Sequence, residues 1–274
     1  MNNRMLKAIV KKDLKDILRS KSLLSTLIII PIIFSVIFPT ILLGSAVFFD
    51  IEKLTGEDAR KLVETFMTQI NSGAVTFESI EQQFVYITIN YLLPSLFLLI
   101  PIITASTVAA NSFVGEKERR TLESLLFSPV SIKTLFVSKV VASFIPAFLV
   151  SIVSFILSGI IINSLGYPLF GTMIFPSATW LALIFFLSPM VTLMTVLFNI
   201  LISSRVKTYQ EAQNLSGVII LPVIAMLVGQ ASGLFLVGTR ITLLISLGIL
   251  IINVILLQRI MKYNDRFVLF EKQI

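Results

Sequence analysis

The chain has 274 residues, 56% of them hydrophobic and 14% charged, with a mean hydropathy of +0.95; a soluble domain carries roughly 25% charged residues, which excludes a globule facing water on all sides. It contains no Cys and no His, so disulfides, Cys or His metal ligands, thiol nucleophiles and imidazole bases are excluded together. The net charge of +7 is distributed in a way that assigns it to membrane orientation, and no nucleic-acid partner is expected.

Residues 1–21 are predicted to form an amphipathic helix. Leu6, Ile9, Val10, Leu14, Ile17 and Leu18 recur at helical spacing, with Lys11, Lys12, Lys15 and Arg19 on or beside the other face; Asp13 and Asp16 complete the charged residues of this entry helix. Such a helix lies in the plane of the interface, apolar side in the acyl boundary and cations near anionic headgroups. A plain positive anchor and an additional docking role are both open. The first apolar run starts after this charged stretch and is too long for a signal-peptide core, so integral insertion is expected rather than export.

A bilayer core of about 30 Å needs about 20 helical residues. Charge-free runs then give six spans, at 22–49, 89–112, 140–163, 179–203, 214–230 and 241–258. Between the first two, 50–88 reads as an outer helical loop. Thr55, Gly56, Glu57 and Asp58 form a capping box, and Ala59, Leu62, Val63, Phe66, Met67 and Ile70 make a stripe that Asn71, Ser72 and Gly73 stop. A second short helix is expected to lead from Phe77 into the second span. The charge-free stretch from Val140 to Ser204 is 65 residues long; breakers between Asn163 and Pro176 divide it into two spans around an outer loop at 164–178. Segment 204–213 is an inner loop. Gly229, Gly233 and Gly238 make 231–240 a turn or a re-entrant segment, and 259–274 is a tail.

Orientation follows from Lys and Arg. With the N-terminus inside, 18 of the 22 bases fall on inner segments and 4 on outer ones, which places both termini in the cytosol and the chain in the plasma membrane as a multi-pass protein. The fold class is therefore an all-α membrane protein of about six transmembrane helices, with an amphipathic interfacial helix at the N-terminus.

The inner segment 113–139 carries the densest pattern: Gly115, Glu116, Lys117, Glu118, Arg119, Arg120, Thr121, Leu122, Glu123, Leu125 and Leu126, then Ser128, Pro129, Val130 and Ser131. It reads as a charged helix start, an amphipathic turn or two, and a break at Pro129. A short helix of this kind, joined to two spans, suits the conversion of a cytosolic partner's movement into movement of helices. Its leucines would enter a partner's groove and its charges would fix register.

These residues, with the Lys11 to Arg19 segment and six spans, resemble the membrane subunit of type-2 ABC exporters, the permeases that serve sodium, drug, antimicrobial-peptide and polyketide export. Many members carry Gly where Arg120 or Thr121 stands here. The resemblance implies that the loop is a coupling helix docking on an ATP-binding subunit, present in two copies. A second permease subunit, identical or homologous, would complete the route. This chain has no Gly-x-x-x-x-Gly-Lys-Ser/Thr and no Gly-Lys pair, so it holds no cofactor, and ATP and Mg belong to the partner. The resemblance also implies that the second and fifth spans line the route, making Thr104, Ser106, Thr107 and Asn111 candidate lining residues.

No span carries a charge at its centre, which argues against a relay of buried carboxylates. Asn90, Asn163, Asn199, Gln230 and Asn253 are expected to act as helix–helix glue. Pro94, Pro101 and Pro222 are expected to loosen their helices. An apolar or amphipathic substrate, such as a drug, lipid-like molecule or antimicrobial peptide, suits the interior better than a hydrated sodium ion. An intramembrane enzyme would need a Ser–Lys pair, and Lys133 and Lys139 lie at the wrong depth. The remaining alternative is a non-transporting membrane partner such as a peptide sensor or immunity subunit.

Overall fold

The computed structural model describes residues 3–48, 63, 64, 66, 67, 77, 79–118 and 132–264. These residues form helices and no strand: α1 (Asn3–Arg19), α2 (Lys21–Ser45), α3 (Ile80–Glu118), α4 (Ile132–Phe170), α5 (Ala178–Ser203), α6 (Tyr209–Ala231) and α7 (Thr239–Asn264). Six of them, α2 to α7, are long and apolar enough to cross a membrane, so the chain is an all-α membrane protein.

Helix starts are set by short polar caps. Ser20 Oγ accepts from the Leu23 N–H, Ser79 Oγ from Gln82 and Thr208 Oγ1 from Glu211. Each satisfies one of the donors left free in a first turn. Two helices extend well past the spans expected from charge-free runs. α3 begins at Ile80, so the last part of the expected outer loop belongs to the same continuous helix; there Val63, Phe66 and Met67 pack on Ile80, Phe84 and Ile87. The capping box at 55–58 and the stop at 71–73 lie outside the described residues.

α4 continues to Phe170, which corrects the outer loop expected from residue 164. Gly166 and Pro168 do not break it. The connection instead begins at Gly171, whose φ of 63° ends the helix, its N–H bonded to the Tyr167 carbonyl. The following segment folds back: Asn163 donates from Nδ2 to the Phe175 carbonyl and accepts from the Phe175 N–H at Oδ1. The Phe175 ring then lies on Gly159, where an added Cβ would meet a ring carbon at 2.7 Å. Between α6 and α7 the connection is a turn through Gly233, at φ 75°.

Prolines shape the helix interiors. Widened turns with i→i+5 bonding occupy Ile33–Ile37, Thr88–Leu92 and Leu183–Leu187. Each ends two residues before a proline, at Pro39, Pro94 and Pro189. A proline ring clashes with the carbonyl four residues back and cannot donate to it; widening the preceding turn moves that carbonyl aside. The carbonyls released become acceptors for neighbouring helices, as Ile89 O does for Trp180 Nε1 at 2.9 Å and Ser35 O for Ser158 Oγ at 3.4 Å. A fourth widened turn, Asn111–Gly115, has no proline after it.

α3 is the central helix. Of its most apolar window 83% is buried, against 17% for α7, and it packs on α2, α4, α5 and α6. The main core gathers Phe97, Ile100, Ile162, Phe175, Trp180 and Leu183 around its middle. Outward faces of α2, α4, α6 and α7 present Ile, Leu, Val and Phe, as lipid-facing surfaces require.

Candidate functional site

At the end of the bundle where α3 stops and α4 begins, charges from three helices converge. α1 turns part of its apolar stripe toward protein, while Leu18 stays exposed. Ile9, Asp13 and Ile17, one turn apart, are buried against the bundle, with Ile17 packed on Leu23, Leu27 and Val108. That face is occupied by protein because a lipid-facing position could not hold Asp13, whose burial needs a partner. Lys11, Lys15, Asp16 and Arg19 are exposed on other sides.

The partner of Asp13 is Lys139, which is only 2% exposed. Its Nζ lies 2.6 Å from Glu116 Oε2 and 3.8 Å from Asp13 Oδ2, donates to the Ser112 carbonyl, and sits 5.5 Å from the centre of the Phe113 ring. Glu116 Oε1 takes Lys12 at 2.7 Å, and Ser112 Oγ donates to Asp13 Oδ2 at 3.1 Å. Two cations and two carboxylates thus close a neutral cluster across α1, α3 and α4. Burial pushes the Asp13 carboxyl up from its ordinary value; Lys139 opposes this, Glu116 adds to it, and the net direction is upward. For Lys12, burial pulls downward, but the hydrogen bond and charge of Glu116, with Asp13 and Asp16, outweigh it and the net direction is up.

The widened turn at Asn111–Gly115 delivers this geometry. It brings the Ser112 carbonyl and hydroxyl, and Glu116 one turn on, to the same side as Lys139. Gly115 is buried, and a Cβ there would stand 3.0 Å from Asn111 Oδ1, so any larger residue would have to displace the Asn111 side chain.

The next two residues point elsewhere. Lys117 Nζ donates to the Val206 carbonyl at 3.1 Å, and Glu118 Oε2 accepts from the backbone N–H of Tyr209, the first residue of α6, at 2.9 Å. The rest of the expected coupling segment, Arg119, Arg120, Thr121, Leu122, Glu123, Leu125, Leu126, Ser128, Pro129, Val130 and Ser131, lies outside the described residues.

Of the four candidate lining residues, Thr104, Ser106 and Thr107 are buried within the chain and Asn111 is half-buried. Thr104 turns its hydroxyl back to the Ile100 carbonyl at 2.6 Å. Thr107 Oγ1 accepts from Gln213 Nε2 of α6 at 3.3 Å. Nearby, Ser216 of α6 donates to Asn199 Oδ1 of α5 at 2.7 Å, and at the far end Gln230 Nε2 meets Ser95 Oγ at 2.6 Å. Asn253 Nδ2 binds the Met190 carbonyl, joining α7 to α5. Asn199, Gln230 and Asn253 therefore act between helices, the glue role expected of them.

Sequence reasoning missed Lys139 as an interior residue. The signal was present: Asp13 falls in the i, i+4, i+8 row with Ile9 and Ile17, so a carboxylate on a buried stripe called for a buried cation. A family model described as "ABC-2 family transporter protein" matches residues 7–241, from the first turns of α1 to the start of α7. No curated protein matches the chain.

Proposed function

Because this chain belongs to the ABC-2 family of transporter membrane proteins, we propose that it is the permease subunit of an ATP-driven exporter whose ATPase is a separate polypeptide. In this reading two ATPase subunits, which bind the ATP and Mg, sit below a pair of membrane subunits, identical or homologous. Both termini are cytosolic and the membrane is the plasma membrane. The 115–131 segment receives the force of ATP hydrolysis, its Leu122, Leu125 and Leu126 entering a groove on the ATPase.

The observation that carries the reading is the double ion pair of Glu116. It ties the first turn of this segment to α1 through Lys12 and to α4 through Lys139, at 2.7 and 2.6 Å. A segment that merely joined two spans has no need of an ion pair on each side, one of them with the buried Lys139. Among the described residues the interior lacks acid pairs or cations at mid-span, and its polar groups are Ser, Thr, Asn and Gln, some bonded to their own helix as Thr104 is and others to a neighbour as Gln213, Ser216 and Gln230 are. Such an interior favours an apolar or amphipathic cargo, such as a drug, lipid-like molecule or membrane-active peptide, over a hydrated ion.

The test is reconstitution of the chain with its ATPase in proteoliposomes, with ATP-dependent accumulation measured for sodium, hydrophobic drugs and cationic peptides. Deleting Leu122 to Leu126 is expected to abolish co-purification of the ATPase and its stimulation by the membrane subunit. If both persist after the deletion, the docking assignment is wrong.

A further inference from the structure

Glu116, Lys117 and Glu118 occupy a single helical turn, yet their side chains reach three separate places. Their burial differs sharply, and that difference decides what each can do. Glu116 is held by Lys139 in a cluster that is almost closed to water; separating that pair would strand charges in the interior, a cost large enough to keep it intact. Glu118 is exposed, and its bond to the Tyr209 N–H is of the kind that forms and breaks cheaply in water. Lys117 grips the Val206 carbonyl just before the same helix start.

The receiving end is equally specific. Tyr209 is the first residue of α6, and its N–H is among those that an α-helix leaves free, at the end where the dipole favours a carboxylate. One turn further on, Gln213 holds Thr107 of α3. The Tyr209 hydroxyl meets Thr107 as well, so a shift of the α6 start relative to α3 acts on both contacts that Thr107 makes with α6. Between Thr107 and Glu116 lies the one widened turn with no proline behind it, where α3 departs from regular bonding for no local steric reason.

We propose that the end of α3 is a split lever: Glu116, fixed by buried Lys139, is its pivot, and Lys117 and Glu118 are positioning residues that carry displacement of the following segment to the first turn of α6, opening the Thr107–Gln213 contact. This rests on the reading that the 115–131 segment takes force from the ATPase. The contact lies in the seam between α3 and α6 at the basic end, beside the buried cluster of Ala110, Val114 and Ala212, and opening of that seam admits cargo between these helices.

The first variants leave the coupling segment untouched. Tyr209→Pro deletes both the N–H that Glu118 accepts from and the side chain that meets Thr107; Tyr209→Ala deletes the side chain alone, so the two variants differ in the N–H. Proline suits the first position of a helix, and Thr208, at φ −118° and ψ 152°, already has the backbone that a following proline requires. The chain has no Cys of its own, so Thr107→Cys with Gln213→Cys can be bridged by a short bifunctional thiol reagent in the complex with the ATPase, with and without trapped nucleotide. Bridging is expected to fall at least about fivefold on trapping in the otherwise unaltered chain and in Tyr209→Ala, and to become insensitive to nucleotide in Tyr209→Pro. A nucleotide response in Tyr209→Pro, its loss in Tyr209→Ala, or its absence in the unaltered chain overturns the lever. If Tyr209→Pro fails to assemble, Glu118→Ala, which removes the acceptor from the other side, is read on the same bridge, and an unchanged response there overturns it as well. Failure of the ATPase to co-purify with the unaltered chain would instead remove the reading on which the lever rests.

Discussion

Lys139 is the residue on which the basic end depends. Replacing it by Ala leaves the Asp13 and Glu116 carboxylates, 6% and 13% exposed, without their shared cation. Breaking a buried pair in this way costs about 3–5 kcal/mol, and a matching fall in thermal midpoint in detergent is the expected result. The two carboxylates are not equivalent. Glu116 bridges both lysines at short range, whereas Asp13 meets Lys139 at 3.8 Å and its carboxyl is raised by burial. A raised carboxyl keeps its proton longer in the folded state than in the unfolded one. Its stabilising share is thus complete below the ordinary value of 3.8 and is lost as pH rises through the folded value. Asp13→Asn should therefore be far milder than Glu116→Gln near neutral pH. It should also flatten the decline in stability between acid and neutral pH, read by thermal melts across that range. The sequence made the charges of α1 visible as a cationic face, but the role of Asp13 required noticing one acid in an apolar row. Lys139 gave no local cue, because only the folded bundle brings it beside residue 13.

The six apolar runs were legible as helices because a charge-free run of sufficient length has few other forms in a bilayer. Their ends were not, because Gly and Pro lose their breaker value where neighbouring helices pack against them. Gly166 and Pro168 inside α4 are the example. What ends α4 is Gly171, and what holds the chain there is Asn163 with Phe175. This predicts the outcome of Gly159→Ala. The new methyl would fall 2.7 Å from the Phe175 ring, whose centroid lies 5.0 Å from that of Trp180. Phe175 must withdraw from the core, at a cost of about 1–3 kcal/mol for overpacking. Trp180 is the single tryptophan and is fully buried, so its fluorescence reports the event directly. A red shift with a lowered melting midpoint is expected, and an unshifted spectrum would show that the α4–α5 connection is not held by this ring.

Across the whole molecule, the arrangement is a central α3 with the other spans around it and the charged ends of α1, α3, α4 and α6 drawn together at one pole. The proposed orientation, with 18 of the 22 bases on inner segments by sequence, puts this pole in the cytosol, because each Lys or Arg near a span resists translocation. Lys12 and Lys139, two of these bases, hold Glu116 at the start of the proposed coupling segment, so the proposed orientation and mechanism stand or fall together. Two exposed positions at opposite poles separate the possibilities. Ser204 lies just after α5 beside the basic cluster, and Leu234, 76% exposed, lies in the turn between α6 and α7. With no native Cys, Leu234→Cys should react with a membrane-impermeant maleimide in intact cells, and Ser204→Cys only after permeabilisation. The reverse pattern would place Glu116 and Glu118 outside, where no ATP-driven partner could pull on them.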